Sequence, residues 1–199
     1  TAPLVAEDGR EPWVKPTLVQ KIAAQLPGVG FSRGLAVSRK FPSVEAMAVI
    51  GTDLFVGGNF TIAGGVPANY IAKWNGSSWS ALGAGLNNRV DALVATSTSI
   101  YVSGIFTIAG GMSARYHAKW DGSSWSPIDK SGGGMSDIVR ALTSSGSDLY
   151  AGGSFLSAGG VRMNHVSKWN GGNWDSLGSG TNGEVYALAF MGGDLYVGG

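Results

Sequence analysis

A tandem repeat of 46 to 49 residues is the feature that most constrains how this 199-residue chain can fold. Four stretches that begin with Val and continue through Ala to Met or Leu start at positions 44, 90, 139 and 185. They delimit repeats 44–89, 90–138 and 139–184 and a partial repeat 185–199. A period of this length indicates a solenoid, a propeller or an array, in which each repeat packs on its neighbours.

Each repeat contains four short apolar or alternating stretches separated by turn signals, which predict four antiparallel strands, a to d. In the first repeat, strand a is VEAMAVI, strand b starts at Leu54, strand c ends at Trp74 and strand d starts at Trp79. The 33 glycines and the low charged fraction of 14% are typical of tight turns between aromatic-rich strands. The sequence therefore predicts an all-β fold, a β-propeller of four-stranded antiparallel blades with three full repeats and a partial fourth.

The repeats resemble kelch-type propeller repeats. Strand b ends in a glycine pair, as in Gly152-Gly153, an aromatic residue stands late in strand c, and a Trp follows about five residues later in strand d. They are more similar still to the Trp- and Gly-rich propeller repeats of bacterial exported proteins and of fungal cell-surface polarity-marker ectodomains. This similarity rests on sequence motifs such as IAKWNGSSWSALG at 71–83. The resemblance covers 44–199 and implies a secreted, cell-surface or periplasmic location, but it implies no activity, because one fold hosts many functions.

Residues 1–43 form an N-terminal segment outside the repeat. Residues 3–16 resemble the c-to-d stretch. They could supply strands c and d to the blade that starts at 185 and so close a four-bladed ring. The alternative, favoured because the last repeat ends within its motif, is that the chain is a slice of a longer propeller. Residues 17–26 place apolar side chains on one face after Pro16, which predicts a short helix, an insert in an otherwise all-β chain.

The Trp-turn-Trp stretches that join strands c and d are interpreted as packing elements. Asn75-Gly76, Asp121-Gly122 and Asn170-Gly171 favour the positive φ angles of tight hairpin turns. Two large aromatic residues flank each turn, and their burial would stabilise every blade. The alternative is a glycan-binding platform repeated in each blade, but ligand sites usually differ from one repeat to the next.

The sequence gives little support for nucleic-acid binding, membrane insertion, metal binding or catalysis. A net charge of +1 gives no field for nucleic acid, and no apolar run is long enough for membrane insertion. The chain has no Cys, and its two histidines, His117 and His165, occupy non-equivalent repeat positions, so we expect no metal and no cofactor. No Ser-His-Asp set is evident, and the chain is predicted not to be an enzyme.

The b-to-c and d-to-a loops are where the repeats differ, and in a propeller both sets lie on one rim. Rigid scaffolds present recognition residues on such loops, so we expect a partner there. The predicted partner-binding residues are Asn69, Tyr70, Arg115, Tyr116, Arg162, Met163 and His165. The predicted function is a non-catalytic binding or scaffold module for a protein partner or larger assembly. The alternatives are a lectin-like propeller that binds glycans and a propeller hydrolase or oxidase.

Overall fold

A computed structural model describes residues 42–129 and 133–199. The closing hairpin predicted for 3–16, the helix predicted for 17–26 and all but the last two residues of the segment 1–43 lie outside the described residues. The described chain is all-β and contains twenty strands.

The strands follow the repeat. They are β1 (Ser43–Ile50), β2 (Asp53–Asn59), β3 (Ile62–Ala63), β4 (Val66–Pro67), β5 (Ile71–Trp74), β6 (Trp79–Ala81), β7 (Val90–Ala95), β8 (Ile100–Gly104), β9 (Ile108–Ala109), β10 (Met112–Ser113), β11 (His117–Trp120), β12 (Trp125–Ser126), β13 (Val139–Ser145), β14 (Asp148–Gly153), β15 (Ser157–Ala158), β16 (Val161–Arg162), β17 (Val166–Trp169), β18 (Trp174–Ser176), β19 (Ala187–Met191) and β20 (Asp194–Gly198).

Three antiparallel sheets of four strands each confirm the predicted strands a to d. Their orders are β1-β2-β5-β6, β7-β8-β11-β12 and β13-β14-β17-β18, here called units 1, 2 and 3. The partial repeat forms the two-stranded sheet β19-β20, here called unit 4. In units 1 to 3, β1, β7 and β13 each carry a register shift near their start, which lets the strand bend where the last glycine of the neighbouring strand approaches, Gly58, Gly104 or Gly153.

The core lies between the sheets rather than inside any one of them. One apolar cluster joins units 1 and 2 and contains Phe55, Ile71 and Phe106. A second joins units 2 and 3 and contains Leu142 and Phe155. Because the side chains of a strand alternate between its two faces, each central sheet contributes to two clusters. A third cluster, around Val56 and Phe60, covers the outer face of unit 1.

The packing interpretation of the Trp-turn-Trp stretches is confirmed. The Trp pairs of units 1, 2 and 3 face each other across the c-to-d hairpin, with ring centroids 5.4, 5.3 and 5.4 Å apart. Five of these six Trp residues are buried, and Trp74 is half-buried. The glycine of each turn has positive φ, 95° to 102°, as the Asn-Gly and Asp-Gly dipeptides predict.

The b-to-c connection, which the sequence predicts to be a loop, contains a structured element. In each of units 1 to 3 a two-residue strand, a Gly-Gly turn and a second two-residue strand form a small ribbon: β3-β4, β9-β10 and β15-β16. Both glycines of each turn adopt positive φ, so the chain reverses within two residues.

Candidate functional site

The ribbons and the d-to-a loops lie side by side, as expected from sequence for loops on one rim. The Asn87 side-chain oxygen accepts hydrogen bonds from the backbone N–H groups of Thr107 and Ile108, both at 2.9 Å. In the next unit the Ser136 hydroxyl accepts from Leu156 and Ser157, both at 3.0 Å. Each of these ribbons is thus tied to the preceding unit, and the rim they form is a rigid surface.

Tyr70, Tyr116 and His165 occupy equivalent positions and have left-handed backbones, with φ of 64°, 68° and 65°. A non-glycine residue in this region costs about 1 kcal/mol or more. Two backbone hydrogen bonds that close the loop offset this strain at Tyr70. Its N–H donates to Phe60 O at 2.8 Å, and its carbonyl accepts from Gly58 N at 3.0 Å. All three side chains are half-buried, and the two tyrosines pack against the core clusters. These side chains therefore have a structural role in addition to the recognition role predicted for them.

Asn69 and its counterpart Asn164 bind the d-to-a loop of their own unit. Their side-chain amides donate to Ala84 O at 3.1 Å and to Ser179 O at 2.7 Å. Unit 2 has Arg115 at this position, and its side chain is exposed. Arg162, at the end of β16, is also exposed, and neither arginine forms an ion pair within the part of the chain that the structure describes.

Met163 does not lie on the partner-binding surface predicted for it. Its side chain is 1% exposed and belongs to the cluster between units 2 and 3. The equivalent residues Ala68 and Ala114 are also buried. This position points into the core in every unit, and the larger Met fills space there.

Exposed aliphatic residues on the ribbons are the part of the surface that sequence reasoning missed. The buried alanines of the ribbons, such as Ala63 and Ala109, alternate with neighbours that point outward. The signal was present in the sequence, because an apolar residue follows the Ala-Gly-Gly motif in every repeat and an isoleucine precedes it in the first two. The outward-pointing residues are Ile62 (59% exposed), Ile108 (42%), Met112 (44%), Leu156 (53%) and Val161 (55%).

His117 is a buried polar residue at a position where units 1 and 3 have Ile71 and Val166. It is 1% exposed, and its ring packs edge-on against Trp174 at 5.5 Å. Nδ1 donates to Arg115 O at 2.8 Å, whereas Nε2 has no hydrogen-bond partner. Burial lowers the pKa of His117 from 6.5 to about 4, against the smaller opposing effects of the Arg115 carbonyl and the Asp129 charge. The imidazole is therefore neutral at physiological pH.

The protonation of His117 predicts an acid-dependent loss of stability. Between pH 6.5 and pH 4 the unfolded chain binds a proton that the folded chain excludes. Acidification should therefore lower the free energy of unfolding by up to about 3 kcal/mol. This stability is fully present above pH 6.5 and is lost progressively as the pH falls to 4. Denaturant unfolding at pH 7 and pH 4 measures this loss, and His117→Val, which copies unit 3, should reduce it by about that amount. Equal losses in both proteins would contradict the assignment.

The described residues also bear on two further features, a metal centre and a membrane span. Within residues 42–129 and 133–199 no three His, Asp or Glu side chains come close enough together to hold a metal ion. The same residues contain no helix long and apolar enough to cross a membrane.

Comparisons with known proteins bear on the fold. No protein-family model matches the sequence, and no curated protein is significantly similar. The chain is similar in structure to the computationally designed Ika8 protein, with a TM-score of 0.54 and 15% identity over 78% of this chain, and it spans 42% of the Ika8 chain. It is also similar to the computationally designed Ika4 protein, with a TM-score of 0.52 and 15% identity, covering 84% of this chain and 92% of Ika4. The likeness shows an all-β fold of repeated four-stranded antiparallel sheets, as in β-propeller-like proteins.

Proposed function

We propose that this chain is a non-catalytic, kelch-like β-propeller module that binds a protein partner outside the cell, on its surface or in the periplasm. The binding site is the ribbon surface, formed by Ile62, Ile108, Met112, Leu156, Val161, Arg115 and Arg162. This surface takes in two of the residues predicted from sequence and adds the aliphatic residues of the ribbons.

The observation that carries the proposal is the recurrence of exposed aliphatic residues on three successive ribbons. Exposed apolar side chains grouped on successive loops of a scaffold favour a protein interface. Hydrogen bonds to Asn87 and Ser136 hold two of these ribbons in place, so little ordering entropy would be lost on binding.

Charge indicates what kind of partner would fit. Arg115 and Arg162 are exposed and lie beside the ribbon residues Met112 and Val161. Arg is favoured at interfaces because its planar side chain binds carboxylates through two hydrogen bonds. The partner we propose therefore presents an apolar patch bordered by Asp or Glu.

A lectin-like function receives less support from the same surface. Stacking on a sugar requires an open aromatic face, and Tyr70 and Tyr116 each pack partly against a core cluster. A glycan array probed with the wild-type chain and with Tyr116→Ala would favour the lectin if a glycan bound and the variant lost it.

Site-specific photocrosslinking in extracts of the source organism tests the protein-partner proposal. A photoreactive amino acid at Ile108, Met112 or Val161 should crosslink one common protein. The same amino acid at Val49, which is 58% exposed on β1 away from the ribbons, is the matched control. Crosslinking at Val49 as strong as at the ribbon positions, or no product at the ribbons, would contradict the proposal.

Substitution then measures the contribution of the surface to affinity for the crosslinked protein. Met112→Glu should weaken binding by about 30-fold, because an apolar contact at the centre of an interface is worth about 2 kcal/mol. Val49→Glu should leave the affinity unchanged. Isothermal titration calorimetry with the purified partner provides both values.

A further inference from the structure

Three equivalent lysines on strand c differ in their partners. Lys73 Nζ lies 3.0 Å from the Asp53 carboxylate, and Lys168 Nζ lies 2.7 Å from the Asp148 carboxylate. In unit 2 the residue at the corresponding position, immediately before β8, is Ser99. Lys119 consequently has no carboxylate partner among the described residues, and its Nζ lies 5.8 Å from the centre of the Tyr101 ring.

The lysine without a carboxylate lines the larger of two equivalent cavities. A cavity of about 620 Å³ lies between units 2 and 3, within the range of small-molecule sites. Lys119 and Tyr101 of unit 2 line it, together with Trp169, Asn173 and Trp174 of unit 3. The equivalent cavity between units 1 and 2, about 370 Å³, contains both Lys73 and Asp53, so its cation is already neutralised.

Trp174, which lines the same cavity, has a side-chain N–H without a hydrogen-bond acceptor among the described residues. Trp125 Nε1 donates to Leu82 O at 2.7 Å, across the interface between units 1 and 2. Its counterpart Trp174 is 4% exposed, and its Nε1 has no partner. Ile128, which stands in place of Leu82, also lines the cavity. A buried N–H without an acceptor is unfavourable, so a ligand oxygen at this position would be stabilising.

We infer that the cavity between units 2 and 3 binds a small organic monocarboxylate. The Lys119 ammonium supplies the opposite charge, Trp174 Nε1 supplies a second hydrogen bond, and Tyr101 and Trp169 contact the apolar part of the ligand. Asp129 also lines the cavity, and its carboxylate, which accepts from Gly134 N at 3.2 Å, disfavours a dianion such as phosphate. Val161 of the ribbon surface also lines this cavity, but the four ligand contacts named above lie outside that surface, so the inference does not depend on a protein partner.

Calorimetric titration of the full chain with two carboxylates tests the inference and separates two sources of the ligand. N-acetylglycine represents a peptide C-terminus, and glucuronate represents an acidic sugar. At least one should bind saturably and shift the indole N–H resonance of Trp174 in NMR spectra. N-acetylglycinamide, which is uncharged, should bind at least about tenfold more weakly than N-acetylglycine if the latter is the ligand.

Two variants remove the free cation in different ways. Ser99→Asp copies units 1 and 3, so the new carboxylate should pair with Lys119 and weaken carboxylate binding by about tenfold or more. Lys119→Gln should have the same effect by removing the charge, and it decides the question if Ser99→Asp does not fold. Asp53→Ser, in the neighbouring cavity, should leave the affinity of this site unchanged.

The inference is overturned if neither carboxylate binds, or if both variants bind as tightly as the wild-type chain. Met112→Glu should bind the carboxylate normally, so failure of the ribbon-surface proposal is distinguishable from failure of this one.

Discussion

Replacing Trp125 with alanine should lower the free energy of unfolding by about 3–5 kcal/mol. Trp125 is 4% exposed, packs against Trp120 at 5.3 Å and donates a hydrogen bond across the interface to Leu82 O at 2.7 Å. The substitution removes all three contributions and leaves a cavity between units 1 and 2. Guanidinium unfolding followed by circular dichroism should show a lower midpoint. A loss below about 1 kcal/mol would indicate that this interface is not part of the stable core.

Two phenylalanine variants separate the hydrogen bond from the packing. Trp125→Phe removes one of the two hydrogen bonds that Leu82 O accepts, since the Gly85 N–H still donates to it at 3.0 Å, whereas Trp174 Nε1 has no acceptor to lose. Trp125→Phe should therefore be more destabilising than Trp174→Phe by about 1 kcal/mol, the net value of one hydrogen bond. Equal losses would show that the indole hydrogen bond contributes nothing.

Replacing Gly153 with alanine should cost about 4 kcal/mol, because the added methyl group would meet backbone rather than a movable side chain. A Cβ at this position would lie 2.1 Å from Ile138 O and 2.9 Å from Val139 Cα. Ile138 O also accepts a hydrogen bond from Ser154 N at 2.9 Å, so moving it breaks a contact of the sheet. Thermal and denaturant unfolding measure the loss.

Gly146→Ala is the matched control for Gly153→Ala. Gly146 has φ of 59°, but a methyl group added there would meet nothing within 4 Å, so only backbone strain of about 1 kcal/mol is expected. If the two variants were equally stable, the close approach of β14 to β13 would not be a constraint on the fold.

The glycine pair that ends strand b in units 1 and 3 is visible in the sequence, but the sequence does not distinguish its two positions. The pair is one of the features that resemble kelch-type repeats, and its two positions have different constraints. The first, Gly57 or Gly152, approaches only side chains of the next unit, and unit 2 accommodates Ser103 there. The second, such as Gly153, approaches backbone. Which neighbour comes close depends on how the sheets stack, and the motif contains no information about that.

The surface residues illustrate the same limit. Arg115 and Arg162 are exposed as predicted, whereas Met163 is buried, and the aliphatic residues of the ribbons were overlooked. Sequence variability between repeats does not distinguish a side chain that faces a partner from one that fills a gap in the core. The direction of each side chain was set by the ribbons, and the preceding loop supplies hydrogen bonds that hold two of them in place.

Strands a to d, the unit boundaries and the c-to-d hairpins follow from the residues alone, because alternation and turn chemistry act over a few neighbouring positions. The ribbons, the buried His117 and the cavity beside Lys119 depend on contacts between residues that are distant along the chain. The cavity shows this most clearly: Ser99 in place of Asp leaves a lysine without its partner, but only the stacking of unit 3 on unit 2 encloses that lysine with Trp169 and Trp174. Local patterns specify the units, and long-range packing specifies what lies between them.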